Sequence, residues 1–505
     1  MHKQLCAVAI AASVAGASAA HAGDFFDTRL SFVFADDNVL ASAGETTPNS
    51  PNARFGAGNQ NTQFYDNFNS RYSGFETLSH VVLYKKAPAF FEGLVTEAAF
   101  NALVLEGSSG QITLRDDSSY IRLAYTPQSW GEKDSISLTG FPVSADRFRL
   151  GYAYRITWGG SSIFTPKGVA AGVPGVKVQV TKNNWYAFAG AKTALILNDL
   201  ILEQETAYGF LGGAGIDVLP TLRLEANGGY FQKGLVPGLA TQGIRAPVNA
   251  AGASAHAVFH VGEPIGTSVD LTLYRNDPDQ TQRFFRPETY PGGLSYTVEL
   301  EGSGLVQTLE DPDVFAKTEP QWASAGALSA RVKFNYVRAH VLALYRSFTY
   351  IQFDVPSFPP FRNLPDGTVQ QPEVFGAVGV DYHFPTWHFT PGVIFGVQQP
   401  AAFTPPTTLF GGNNPPAGLT GSRTVVVRDV NQFSILKAGD SPIPILSAKA
   451  TFRWDLSESV AAIGEVYYTR DENRTTFRDD VTGVTEPVYE KPDALGFNTI
   501  LQARF

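Results

Sequence analysis

The chain has almost no sulfur and no long hydrophobic run. Its one cysteine, Cys6, and its one methionine, Met1, both lie at the very start of the 505 residues. If those first residues are removed on export, disulfides and thiol chemistry are excluded from the remainder. No stretch of 18 apolar residues follows Ala22, which excludes helical membrane spans. Charged residues make up 17% of the chain, below the roughly 25% of ordinary soluble domains.

Residues 1–22 have the features of a secretory signal peptide in the usual order. A short basic region precedes an apolar stretch at residues 5–19, and Ala20 and Ala22 form an A-x-A cleavage site. The apolar stretch is too short for a membrane anchor. We therefore expect cleavage after Ala22 and a mature chain of residues 23–505, with an uncleaved N-terminal helix as the alternative.

The expected mature chain is acidic. Without Lys3 it has 37 basic and 47 acidic residues, a net charge of −10. Nucleic-acid-binding proteins carry a basic surface, so this balance argues against nucleic acid as a partner. An acidic, cysteine-free exported chain is typical of a bacterial periplasm-facing or outer-membrane protein.

The last ten residues alternate between apolar and polar side chains. Phe497, Leu501 and Phe505 fall on one face of an extended strand, and Gln502 and Arg504 fall on the other. A strand with one face toward lipid and one toward water requires this alternation. A terminal aromatic residue on such a strand resembles the C-terminal sorting signal of bacterial outer-membrane β-barrels. The resemblance implies a location in the bacterial outer membrane, with lipid, lipopolysaccharide and the outer-membrane assembly machinery as partners.

The same alternation recurs along the chain and predicts 19 candidate strands. They are residues 30–34, 78–84, 94–104, 120–125, 135–139, 147–158, 176–180, 185–192, 208–218, 222–230, 253–261, 268–274, 328–336, 340–348, 374–384, 387–397, 446–454, 460–468 and 496–505. The clearest runs from Arg147 to Trp158, with large apolar residues on one face and three arginines on the other. A single-chain barrel needs an even number of strands. Parity fails between residues 90 and 200, so one strand there is false or missed, and we expect about 18 strands, with 16 to 20 as the range.

Connections between the candidates alternate between short turns and long loops. The predicted short turns are residues 219–221, 262–266, 337–339, 385–386 and 455–459, and the predicted long loops are 234–251, 276–325, 350–372, 399–443 and 471–494. Short periplasmic turns and long extracellular loops are typical of outer-membrane barrels. We therefore predict an all-β protein, a transmembrane antiparallel up-and-down β-barrel, and not the alternative soluble β-sandwich.

With the apolar faces outside, basic residues face the predicted lumen. They include Arg147, Arg149, Arg155, Arg223, Arg331 and Lys333. A basic lumen would bias permeation toward anionic solutes, and the three arginines of residues 147–158 resemble the basic cluster at the constriction of a general porin. The alternative is that these charges only pair with one another inside a filled barrel.

An 18-stranded pore admits water unless a loop folds into it. The Gly- and Pro-rich stretches 159–175, 355–372 and 399–418 are candidates for such a plug, because they cannot form long strands or helices. The alternative is that all three are mobile surface loops.

Signals for catalysis are weak, and we expect no enzyme, no metal and no cofactor. His256 and His260 share a strand face, and Asp381 lies near His383 and His388, but no known catalytic spacing is present. The motifs HExxH, GxSxG, CxxC and the P-loop are absent. We expect His383 and His388 to be interfacial histidines at strand ends, with a metal-binding pair as the alternative.

Two functions remain open. The first is a porin-like channel for small hydrophilic solutes with an anionic preference. The second is a non-conducting barrel that anchors an envelope-spanning machine, such as one for gliding motility, adhesin display, secretion or polysaccharide export, and that needs other envelope proteins as partners. They differ in whether the lumen is open or filled.

Overall fold

The structure is a computed structural model. It describes residues 27–36, 38–40, 78–106, 112–116, 118–152, 156–164, 172–198, 200–262, 290, 292–354, 361–406, 422–429, 432–479 and 485–504.

Strands account for most of the described chain. They are β1 Asp27–Asp36, β2 Leu78–Pro88, β3 Leu94–Glu106, β4 Ile112–Asp116, β5 Tyr120–Tyr125, β6 Ser135–Phe141, β7 Gly175–Thr181, β8 Trp185–Asn198, β9 Glu203–Leu219, β10 Leu222–Leu235, β11 Pro247–Val261, β12 Leu294–Glu310, β13 Thr318–Phe334, β14 Val337–Arg346, β15 Val369–Gln371, β16 Glu373–Tyr382, β17 Phe389–Gln399, β18 Ala402–Thr404, β19 Val425–Asp429, β20 Gln432–Ile435, β21 Ile445–Asp455, β22 Val460–Arg470, β23 Thr475–Asp479, β24 Thr485–Tyr489 and β25 Asp493–Arg504.

Helical structure is sparse in the described residues. It consists of α1 at Pro237–Ala240, α2 at Phe348–Asp354 and a 3-10 turn at Ser161–Phe164. None of these helices is long and apolar enough to cross a membrane.

The main sheet closes on itself. Each long strand pairs antiparallel with the next along the chain, and β25 pairs with β1 from Arg29↔Arg504 to Asp36↔Phe497. β3 pairs with β4 along one half and with β5 along the other, so those two share one strand position. The described strands therefore occupy 18 positions around a closed barrel. This confirms the predicted antiparallel barrel of about 18 strands, and closure leaves no unpaired edge in lipid.

One predicted strand, Arg147–Trp158, is not part of the barrel wall. β6 pairs directly with β7, from Ser135↔Thr181 to Phe141↔Gly175, and residues 142–174 leave the sheet between them. Without this strand, 18 of the 19 candidates remain, which is an even number. The false strand lies between residues 90 and 200, where the sequence analysis places the error in the count. The alternation at 147–158 is real, but its apolar face is buried inside the barrel and does not face lipid.

The predicted pairing after β11 is also wrong. β11 pairs with β12, from Ala250↔Gln307 to Val261↔Tyr296, so residues 276–325 are not one loop and 262–266 is not a tight turn. The candidate strand 268–274 lies outside the described residues. The sequence pattern does not indicate β12, because Gly302 and Gly304 occupy outward positions where a lipid-facing strand usually has large apolar residues.

The two ends of the barrel differ in their connections. We call the end that holds Asp27 and Arg504 the turn end and the opposite one the loop end. The connections at the turn end are residues 89–93, 126–134, 182–184, 220–221, 262–293, 335–336, 383–388 and 456–459. Those at the loop end include residues 37–77, 142–174, 236–246, 347–372, 400–444 and 471–492. All long connections except 262–293 thus lie at the loop end.

The outer face of the described wall is apolar. Phe210, Leu300, Phe395 and Val466 point outward and are each exposed by about half or more, while their neighbours along each strand are mostly buried inward. A closed barrel with an apolar outer face can lie only in a membrane that admits spanning strands. The described strands therefore form a transmembrane β-barrel, as predicted.

A second, smaller sheet is formed by the loop-end connections. Its strands are β15, β18, β19 and β20, paired in that order, and we call it the external sheet. It uses parts of the connections 347–372 and 400–444. Its strand β15 lies in the candidate plug stretch 355–372, and β18 lies in the candidate plug stretch 399–418. In addition, β23 and β24 form a separate two-stranded hairpin at the same end.

Candidate functional site

The described residues of the connection 142–174, which are 142–152, 156–164 and 172–174, fold into the barrel, and we call them the inserted segment. Leu150 and Trp158 form an antiparallel bridge with both backbone N···O distances at 2.8 Å. We call the two paired arms the hairpin, and Gly151, Tyr152 and Ile156 beside the bridge its tip. Gly151 and Gly159 beside the bridge have φ of +95° and +92°, values that residues with a side chain rarely adopt. The predicted plug stretch 159–175 falls largely within this segment.

Apolar side chains of the inserted segment pack against the inner side of the wall. Phe148, Trp158 and Phe164 are each at most 2% exposed. The ring of Phe148 lies 6.0 Å from that of Phe188 on β8, and Trp158 lies 5.1 Å from Phe231 on β10. Each buried side chain of this size contributes about 1.5–3 kcal/mol, so the segment has a defined position inside the barrel.

A buried lysine holds both strands of the hairpin. Lys192, on β8, donates from Nζ to the backbone oxygens of Phe148 at 2.7 Å, Ala145 at 3.4 Å and Gly159. Its side chain is fully buried, where an ammonium group is tolerated only if its hydrogen bonds are satisfied. Lys192 lies in a strand that the sequence predicts correctly. The residues next to it in the sequence give no sign that it binds three backbone oxygens of residues 145–159.

The tip of the hairpin contacts the wall at β10 to β12, several strands away from β6 and β7. The backbone N–H of Gly151 donates to Asn227 Oδ1 on β10 at 3.0 Å, and that of Tyr152 donates to Glu301 Oε1 on β12 at 2.8 Å. The ring of Tyr152 also stacks on His256 of β11 at 5.2 Å. The segment therefore leaves the wall between β6 and β7 and is held at β10–β12, which narrows the interior between them.

We expect Lys192→Met to lower the free energy of unfolding by about 3 kcal/mol, because buried carbonyl oxygens lose a charged donor. Lys182→Met is the matched control, since the Lys182 amine is partly exposed and contacts Asp134 and Trp130. It should cost less than about 1 kcal/mol. Denaturant unfolding in detergent measures both. Equal losses for the two variants would contradict a special role for Lys192.

Acidic and basic side chains occupy neighbouring sectors of the inner wall. In the acidic sector, His256 Nδ1 lies 3.1 Å from Glu225 and its Nε2 lies 3.6 Å from Glu299. Tyr186 donates to Glu225 at 2.9 Å. These groups surround the site where Tyr152 stacks, so the tip of the inserted segment rests on the acidic sector.

The next two strands carry the opposite charge, and we call Arg331, Lys333, Arg338 and His340 the basic patch. Arg331 pairs in register with His340 and Lys333 with Arg338, so four basic side chains lie on two adjacent rungs near the turn end. Arg338 Nε lies 3.0 Å from Asp381 Oδ2 on β16. Like charges directly across a sheet repel each other, and the Lys333 Nζ also lies 5.1 Å from the centre of the Tyr290 ring.

Elsewhere the inward charges form close ion pairs. Lys449 and Glu465 lie 2.6 Å apart with both side chains fully buried. Other inward pairs are Arg346–Glu373, Arg453–Asp455 and Arg122–Glu97. Much of the lumenal charge that the sequence predicts is therefore neutralised locally.

Arg147 and Arg149 do not lie on a strand of the barrel wall. Arg147 and Arg149 lie in the inserted segment, where Arg149 pairs with Asp146 and the Arg147 backbone N–H donates to Ser118 Oγ at 3.0 Å. Arg155 lies outside the described residues. The prediction failed because this stretch has the alternation of a membrane strand while it packs inside the barrel.

The remaining predicted residues lie as follows. Arg223 is on β10 near the turn end and pairs with Asp217, whereas Arg331 and Lys333 belong to the basic patch. Of the predicted sorting signal, Phe497 and Leu501 are on β25, and Leu501 faces outward. Phe505 lies outside the described residues, as do Ala20 and Ala22 of the predicted cleavage site.

In the described part of the chain, His383 and His388 lie in different surroundings. The ring of His383 stacks on Tyr290 at 4.4 Å and its Nδ1 lies 2.9 Å from Thr390 Oγ1, while His388 is exposed on the turn before β17. Asp381 is held by Arg338. No group of three His, Cys, Asp or Glu side chains there could hold a metal ion.

No protein-family model matches the chain, and no curated protein matches it. Solved structures that resemble it include OccAB3 of Acinetobacter baumannii, with 6% identity over 96% of this chain and 100% of that one and a TM-score of 0.45. OpdQ of Pseudomonas aeruginosa has 8% identity over 95% and 97% of the two chains and a TM-score of 0.44. Wzi of Escherichia coli, described as an outer-membrane protein in group 1 capsule assembly and a carbohydrate-binding β-barrel, has 10% identity over 95% and 85% and a TM-score of 0.41. Similarities this distant assign neither a solute nor a partner.

Proposed function

We propose that this barrel is an outer-membrane channel for small hydrophilic solutes, with a preference for anionic ones. The inserted segment is the observation that carries the proposal. A barrel of 16–18 strands encloses an aqueous channel, and the inserted segment extends into it, with Gly151 and Tyr152 held by Asn227 and Glu301. A fixed constriction of this kind limits the size of the solutes that can pass, while the rest of the lumen stays open.

The basic patch supports the anionic preference. Arg331, Lys333 and Arg338 bring three positive charges together, and Asp381 contacts one of them. Rings or clusters of basic side chains favour anions in pores. If the long connections of the loop end are extracellular, as is usual for this class, a solute entering the cell meets the inserted segment first and the basic patch second.

We expect the double variant Arg331→Glu/Lys333→Glu to shift ion selectivity from anions toward cations, because it reverses two charges of the basic patch. The measurement is the reversal potential of single channels in planar bilayers under a salt gradient. Arg245→Glu is the control, since Arg245 is exposed at the loop end and pairs with Glu205. A reversal potential that stays at the wild-type value in the double variant would contradict the proposed selectivity.

The alternative, a non-conducting barrel that anchors an envelope-spanning machine, also has one observation in its favour. Buried ion pairs such as Lys449–Glu465 and Arg346–Glu373 fill inward positions that an open pore would leave in contact with water. The same recordings separate the two functions. A folded barrel that gives no current steps would favour the anchor, and purification of other envelope proteins bound to it would be the next measurement.

A further inference from the structure

The short helix α2 lies between two hydrophobic cores. Phe348 and Ile351, one turn apart, belong to the core of the external sheet, whereas Tyr350 and Phe353 belong to the core inside the barrel. Side chains three residues apart share a face of a helix, and those two apart point in roughly opposite directions. One face of α2 is thus packed against the external sheet and the other against the interior of the barrel.

On its outer side, α2 is part of the external sheet's core. The ring of Phe348 lies 5.4 Å from that of Phe403 on β18. The other members of this core are Leu364, Ala401, Val425, Val427 and Ile435, which come from both loop-end connections. The helix therefore cannot shift without disturbing the packing of the external sheet.

On its inner side, α2 holds the inserted segment. The hydroxyl of Tyr350 donates to the backbone oxygen of Ile156, close to the tip of the hairpin. Lys233 on β10 donates from Nζ to the backbone oxygen of Phe353 at 3.0 Å, and the same Nζ lies 5.2 Å from the centre of the Trp158 ring. The helix thus contacts the segment both directly and through Lys233.

We propose that α2 couples the external sheet to the inserted segment, so that a change in the packing of the sheet changes the position of the constriction. Close-packed interiors have low compressibility and transmit displacements between neighbouring side chains. The chain of contacts runs from Val427 and Phe403 through α2 to Ile156. The inference rests on the proposed function only in its consequence for solute passage; the mechanical coupling itself does not require a conducting lumen.

A thiol reporter tests the coupling without any measurement of current. Thr157, next to Ile156, is partly exposed and becomes the only cysteine of the exported chain as Thr157→Cys, since Cys6 lies in the predicted signal peptide. Val427→Ala removes volume from the external sheet's core, and Val427→Asp places a charge there. We expect both to raise the rate of maleimide labelling of the reporter, on the order of tenfold for the alanine variant. Phe477→Ala, at an exposed position of the neighbouring hairpin, should leave the rate unchanged.

Tyr350→Phe identifies the route of coupling, because it removes only the hydroxyl that reaches Ile156. In that background Val427→Ala should raise the labelling rate by less than it does alone. Protease cleavage within the external sheet shows independently that the Val427 variants loosen it. A loosened sheet with wild-type labelling in both Val427 variants would overturn the proposal. Normal coupling in a barrel without current would instead overturn only the channel function.

Discussion

Deletion of residues 147–164 should raise single-channel conductance on the order of tenfold, because the wall would then enclose the wide aqueous lumen of an 18-stranded barrel. The wall itself should survive the deletion, since β6 and β7 pair directly with each other. A short glycine linker can replace the missing residues within the connection 142–174. The measurement is the current amplitude of single channels in planar bilayers.

The control for this deletion is removal of the hairpin formed by β23 and β24. It shortens another loop-end connection by a similar length, and within the described structure it forms a sheet separate from the barrel. Conductance should then stay near the wild-type value. Both variants must keep the mobility shift on boiling that marks a folded outer-membrane barrel. Equal conductance in the wild type and the 147–164 deletion would show that the inserted segment does not limit permeation.

Glu465→Ala should lower the free energy of unfolding by about 3–5 kcal/mol, because it leaves the Lys449 ammonium in a buried site without its carboxylate. The two groups lie 2.6 Å apart, and neither side chain is exposed. A buried pair is costly to break even where its net contribution is small, since the remaining charge keeps its full desolvation cost. Denaturant unfolding in detergent measures the loss.

Two further variants test whether the loss of stability comes from the unpaired Lys449 charge or from any substitution in the barrel. Lys449→Met/Glu465→Leu removes both charges and should cost far less than Glu465→Ala, because no uncompensated charge remains. Glu472→Ala breaks the exposed pair with Arg470 at the loop end and should change stability by no more than about 1 kcal/mol. A small loss for Glu465→Ala would mean that water reaches Lys449, which would favour an open lumen.

The sequence predicts the wall well because lipid imposes a simple rule on it. Strands such as β25, β22 and β10 alternate with period two, and their count must be even, so the architecture follows from local pattern and parity. The same rule fails at Arg147–Trp158. A hairpin packed on the inside of the barrel needs an apolar face just as a lipid-facing strand does. Alternation in the sequence therefore does not distinguish a face that contacts lipid from one that contacts the inner wall.

The candidate site depends on contacts that no local pattern contains. Lys192 is one lysine on an alternating strand, and only the fold brings three carbonyl groups to it. Glu301 lies on a strand that the sequence pattern does not indicate, because Gly302 and Gly304 interrupt the alternation of large apolar residues. For Arg331 and Lys333, by contrast, the strand pattern alone predicts an inward direction, since side-chain direction in a strand is set by position.

The contacts of the inserted segment also bear on the order in which the protein folds. Tyr152 meets Glu301 across 149 residues of sequence, and Ile156 meets Tyr350 across 194. Closing such long loops costs entropy that is recovered only when the partner strands are already in place. The segment can therefore settle only after the strands through β14 have paired. We expect an assembly intermediate in which these strands surround a wet, unobstructed interior and the constriction is not yet ordered.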